Sequence, residues 1–108
     1  MPSFEYESVV RGHHKYKAIW SPIVGEELEV CREPENRYDR HAVALKKRGS
    51  VVGHVPRENS KIMFEFMASG GRITCRVRKL GNGLEVPCVY VFSGNKTLLA
   101  KTKKSFRK

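Results

Sequence analysis

Arg32-Glu33-Pro34-Glu35-Asn36-Arg37-Tyr38-Asp39-Arg40-His41-Ala42-Val43-Ala44-Leu45, followed a few residues on by Val52-Gly53-His54-Val55-Pro56-Arg57, decides how this chain is read. Two apolar runs with strand character, residues 42–46 and 51–55, adjoin a loop that concentrates a proline, a tyrosine, a carboxylate and several cations. Pro34 fixes one backbone dihedral, and Asn36 and Asp39 can bond back to nearby amides, so the loop is expected to be stiff. Stiff polar loops on small β scaffolds often carry a ligand. Between the two runs, Lys47-Arg48-Gly49-Ser50 offers a glycine able to take the positive φ of a tight hairpin.

Upstream, residues 4–11 alternate loosely and predict a first strand, ended by Gly12 and the polar His13-His14-Lys15. Leu28 and Val30 alternate with Glu27 and Glu29 to give a second. Residues 16–20 are too short to classify, with Trp20 read as core. Downstream, the period changes over residues 58–69. Ile62 with Phe66, and Met63 with Met67, sit four apart on one side of a short helix that Gly70-Gly71 ends. Strand periodicity then returns, with Ile73, Cys75 and Val77 on one face and Arg72, Thr74, Arg76 and Arg78 on the other. That second face is either a phosphate-tracking stripe or an ordinary soluble surface. A Gly81-Asn82-Gly83 turn leads to a last strand over residues 85–92. The expected fold class is mainly β: six strands forming a small barrel with one short helix. Periodicity alone does not separate that barrel from a sandwich.

The chain has 108 residues, 40% of them hydrophobic, which fits one globular domain. Its formal charge is +10, and Lys96, Lys101, Lys103, Lys104, Arg107 and Lys108 supply six of those charges with no acid among them. Residues 1–94 therefore form the expected domain, and residues 95–108 a basic tail expected to be flexible. Such a charge favours a polyanion partner. A membrane partner is disfavoured, because no apolar stretch approaches the roughly 20 residues of a span and no basic amphipathic helix or lipidation motif is visible. Met1-Pro2-Ser3-Phe4-Glu5 lacks the charged leader and apolar core of a secretory signal, so an intracellular location is expected. The terminal run from Lys101 resembles a weak nuclear-import or nonspecific nucleic-acid segment, which adds a nuclear location and tail-bound nucleic acid to the expectations.

Cys31, Cys75 and Cys88 are widely spaced in apolar surroundings, as buried reduced thiols are. No Cys-x-x-Cys or His-x-x-x-His spacing is present, so neither a metal nor a cofactor is expected. There is no phosphate loop or nucleophile elbow, and Asp39 and His41 have no evident nucleophile beside them, so an enzyme is not expected.

Read as R-E-P-x-N-x-Y-D-x-x-A-V-A-L and then G-x-V-V-G-H-V-P-R, the central block resembles the HIRAN domain. Gly25-Glu26-Glu27-Leu28 upstream and Val86-Pro87-Cys88 downstream extend the resemblance over roughly residues 6 to 94. It implies an OB-like barrel, a fold whose open face and loops often take single-stranded nucleic acid. It further implies noncatalytic capture of the 3' end of single-stranded DNA. Tyr38 and Asp39 would then contact the terminal nucleotide, with Asn36, His54 and Arg57 around them. Lys15 and Tyr16 correspond to a basic and aromatic pair of the family's groove. Where family members associated with DNA ends carry an aromatic, this chain has Leu84, which packs against a base but does not stack on it. The alternative function is a protein-interaction module that grips a peptide with the same loop and groove.

Overall fold

The computed structural model describes residues 2–107. Six strands form a closed antiparallel barrel: β1 (Ser3–Arg11), β2 (Glu27–Arg32), β3 (Val43–Lys47), β4 (Ser50–His54), β5 (Arg72–Val77) and β6 (Glu85–Ser93). Their order around the barrel is β1-β4-β3-β2-β5-β6. Helix α1 (Arg57–Ala68) crosses over from β4 to β5, and a second helix, α2 (Lys96–Phe106), follows β6. The expectation of a six-stranded OB-like barrel holds, and the expectation of a single short helix does not.

β3 and β4 are joined by Arg48 and Gly49 alone, at φ 53° and 83°. Positive φ at both central residues is the geometry that matches the twist of a two-residue hairpin. β1 pairs with β6 in register from Ser3↔Ser93 to Arg11↔Glu85, yet meets β4 only at Arg11↔His54. This short seam closes the barrel, and it needs a glycine. A Cβ on Gly53 would lie 2.4 Å from Val10 Cγ1 and 2.9 Å from the Arg11 carbonyl oxygen. The seam is also tied from outside, because the Arg11 guanidinium donates to both Glu58 oxygens at 2.7 and 3.0 Å and to Glu85 at 3.0 Å.

Inward residues of every strand fill the barrel, and Met63 and Phe66 of α1 close one opening. Trp20 plugs from the connection between β1 and β2, where a 3₁₀ turn at His13–Lys15 precedes it. Burying such side chains contributes roughly 1.5–3 kcal/mol each. The indole Nε1 donates to Glu26 at 2.8 Å, so the polar edge of the plug is also satisfied.

The C-terminal segment read as flexible is helical because its few apolar residues find partners far away in sequence. Phe106 stacks on Tyr6 at a centroid distance of 4.2 Å and meets Phe92 edge-on at 5.5 Å, while Leu99 and Thr102 are buried. Asn95 caps the helix by accepting from the amides of Thr97 and Leu98. The three cysteines are free, with Cys75 and Cys88 buried and Cys31 half-buried. A hydrogen bond with Cys88, together with burial, pushes the Cys75 thiol far above its ordinary range. Among the described residues no helix is long and apolar enough to cross a membrane.

Candidate nucleic-acid interface

The loop between β2 and β3 is stiff for reasons that can be read bond by bond. It closes on itself, with the Glu33 amide donating to Ala42 O at 2.8 Å and the Asn36 amide to Glu33 O at 3.0 Å. Asn36 Oδ1 accepts from the amides of Tyr38 and Asp39 at 2.9 and 3.1 Å, and Asp39 Oδ1 accepts from the His41 amide at 2.9 Å. Both are the side-chain turns that Asn and Asp favour. Three further contacts staple the loop to α1. The Ser60 hydroxyl donates to Asp39 Oδ2 at 3.2 Å, Arg57 Nη2 donates to the Tyr38 carbonyl at 3.3 Å, and Phe64 packs between His41 and the Arg32 guanidinium.

All this bonding leaves the Tyr38 side chain outside. The residue is 85% exposed, and its ring makes no aromatic contact among the described residues. Beside it lies a concavity of about 390 Å³ lined by Lys15, Asn36, Tyr38, Asp39, Ala42, Val43, His54, Val55, Arg57 and Ser60. The structure thus brings together six of the seven residues picked out in the sequence. Tyr16 is half-buried and does not line the concavity, because the 3₁₀ turn presents Lys15 instead.

Glu33 and Ser60 are the two residues missed. Glu33 Oε1 accepts from Asn36 Nδ2 at 3.2 Å and pairs with His54 Nε2 at 2.8 Å, which places the proton on that ring nitrogen. It therefore fixes two walls of the concavity at once. Ser60 aims the Asp39 carboxylate. Each is 21 residues from the partner it holds across the fold, and no local motif announces such a bond.

Two exposed cations, Lys15 and Arg57, line the concavity and two more, Arg37 and Arg40, are exposed in the adjoining loop; none joins an ion pair among the described residues. The residue at the N-cap position of α1 is Pro56, which supplies no side-chain cap, and the first turn carries Glu58, whose carboxylate offsets the positive end of the helix dipole. A larger hollow of about 610 Å³ follows the seam of β2 and β5, where Glu27 and Glu29 are balanced by Arg32 and Arg72. Among the described residues no three His, Cys, Asp or Glu side chains converge as a metal site would require.

The sequence model of the HIRAN domain matches residues 4–87. The chain belongs to the HIRAN domain family. Solved HIRAN domains share its fold. The crystal structure of the HIRAN domain of human HLTF superposes with a TM-score of 0.83 at 21% identity, covering 95% of this chain and 86% of that one. The HLTF HIRAN domain in its DNA-bound conformation, determined by NMR, gives 0.73 at 20% identity, over 94% and 86% of the two chains. A protein from Lactobacillus plantarum gives 0.61 at 17%, over 85% and 100%. None of the curated proteins matches significantly.

Proposed function

We propose that this protein is a noncatalytic nucleic-acid-binding module that holds the 3' end of single-stranded DNA in the concavity beside the β2–β3 loop. The observation that carries the reading is the Tyr38 side chain, left 85% exposed on a fastened loop with a cationic rim. Stacking a base on a ring whose backbone is already fixed is worth about 1–3 kcal/mol. Membership of the HIRAN family, and likeness to a HIRAN domain in its DNA-bound conformation, support nucleic acid as the class of ligand.

In this reading Lys15 and Arg57 neutralise phosphate. Asp39 receives the terminal hydroxyl. Each of its carboxylate oxygens has one protein donor, and a carboxylate oxygen accepts about two hydrogen bonds, so capacity remains. The same negative charge repels a terminal phosphate, which gives the site a reason to distinguish ends. Asn36 and His54, both held by Glu33, shape the walls.

Fluorescence anisotropy with oligonucleotides ending in a 3' hydroxyl or a 3' phosphate tests this. The hydroxyl end is expected to bind about tenfold tighter, corresponding to about 1.4 kcal/mol, and Asp39→Asn is expected to narrow the gap. Equal affinities for the two ends would refute end recognition, and equal affinities for single and double strands would refute the strand preference.

A further inference from the structure

The C-terminal helix carries a row of cations and is packed against β1, β6 and α1. On a helix of 3.6 residues per turn, Lys96, Lys103 and Arg107 fall within about 40° of one another, with Lys104 beside them. All are exposed, and neither they nor Lys101 join an ion pair among the described residues. The flank of the helix roughly 90° away from these cations is anchored by Leu99, Thr102 and the aromatic stack of Phe106.

Its position follows from two contacts. α2 starts next to the end of α1, since a Cβ on Gly94 would lie 3.5 Å from the Gly71 Cα. From there both helices line one groove, with Ile62, Glu65, Ala68 and Ser69 on one side and Leu98, Lys101, Thr102 and Ser105 on the other. α2 therefore runs back along α1, toward the end that carries Arg57 and Ser60 into the concavity. Arg57 precedes Ile62 by five residues, about 7 Å of helix, and α2 adds a width of about 10 Å beyond that. Along this route α1 exposes Arg57 and Lys61, one turn apart, together with Glu58, which is paired with Arg11, and Glu65.

We infer that α2 binds the phosphate backbone of the same single strand, several nucleotides upstream of the end held beside Tyr38. This rests on the proposed function above. These displacements are at right angles, so the gap is roughly 12 Å, and at about 3.4 Å per stacked nucleotide a strand spans it in about four steps, one more than four nucleotides provide. A four-nucleotide strand does not reach α2, and a twenty-nucleotide strand does.

The experiment compares those two oligonucleotides, each with a free 3' hydroxyl, on wild-type protein and on Lys96→Gln/Lys103→Gln/Lys104→Gln/Arg107→Gln. For the longer strand the variant is expected to lose affinity at low salt, with the log–log salt slope reduced by about 3, near 0.7 per lost phosphate contact. Four-nucleotide binding is expected to stay unchanged, which also shows that the barrel is intact, and replacing the lysines with arginine is expected to preserve the slope. If wild type holds the short strand and the variant leaves the long strand's slope unchanged, the helix has no such role. Failure of wild type to hold the short strand overturns the end site, and the continuous track with it. Loss of binding to anionic lipid vesicles in the variant, with the long strand unaffected, assigns the helix to a membrane surface and overturns the inference.

Discussion

Two regions of this molecule carry arginines in similar density, and only one has the makings of a site. On the outer face of β5, Arg76 stands in register with Glu27 of β2, reaches Glu5 of β1 at 3.4 Å, and is separated from Glu7 only by Val89 of β6. Thr74 in turn faces Glu29. Around the β2–β3 loop, Arg37, Arg40, Arg57 and Lys15 have no carboxylate partners among the described residues, and a tyrosine stands free among them. The first arrangement sets Arg76 among carboxylates on the barrel wall. The second leaves its field unspent beside a hollow, where low-dielectric walls concentrate it. A count of cations treats the two regions alike; their cross-strand neighbours do not.

The sharpest way to break this comparison is Tyr38→Ala. Because the residue is almost wholly exposed, removal of its ring is expected to leave the melting temperature unchanged. Single-strand affinity is expected to fall by roughly 10- to 100-fold, the value of a lost base stack. Anisotropy titration beside a thermal melt decides. A melting temperature that falls in step with affinity would make the ring a structural part, and the loop would then resemble the sheet face after all.

Much of this contrast was legible in the sequence, and the illegible part has a physical cause. Strands announced themselves through period-two patterns such as Ile73, Cys75 and Val77, and α1 through its apolar pairs four apart, because those signals are local. Asn36 and Asp39 were legible for the same reason, since their bonds reach only two or three residues along the chain. The packing of Phe106 was not: it is half-buried against Phe4, Tyr6 and Phe92, which pairing of β1 with β6 brings together from opposite ends of the chain. The neutralisation of Arg76 was equally hidden, because it depends on barrel register. Asn95 was the one local cue to α2, a capping residue ahead of a cationic stretch that read as solvated tail.

A smaller effect comes from the connection that presents Lys15 to the rim. Glu26 there accepts from the Trp20 indole at 2.8 Å and the Ile23 amide at 2.9 Å, and pairs with Lys47 at 2.7 Å. Burial raises its pKa, but the bonds from Lys47, Ile23 and Trp20 outweigh that, and the net shift is below the ordinary 4.5. A carboxyl lowered by folding stabilises fully above its unfolded pKa, and loses that contribution as pH falls through the folded one. Glu26→Gln is therefore expected to cost about 1–3 kcal/mol in urea denaturation at pH 7. Below pH 4 the difference from wild type is expected to shrink toward zero. A pH-independent difference would mean that shape rather than charge holds the plug.

Arg76→Gln is expected to do least, and for that reason it tests the comparison from its other side. Arg76 and Glu5 are both about half exposed, and exposed pairs of this kind contribute about 0–1 kcal/mol, so stability is expected to move by less than about 0.5 kcal/mol. For DNA the argument turns on the carboxylates that remain. Removing Arg76 leaves Glu5, Glu7 and Glu27 on the same face, a surface that a phosphate chain avoids more strongly than before. The salt slope for a twenty-nucleotide strand is therefore expected to stay unchanged. A drop of about 0.7, the signature of one lost single-strand phosphate contact, would show the strand crossing the sheet despite its glutamates. Cation pairing would then no longer favour the loop over the barrel wall as the proposed seat of the strand.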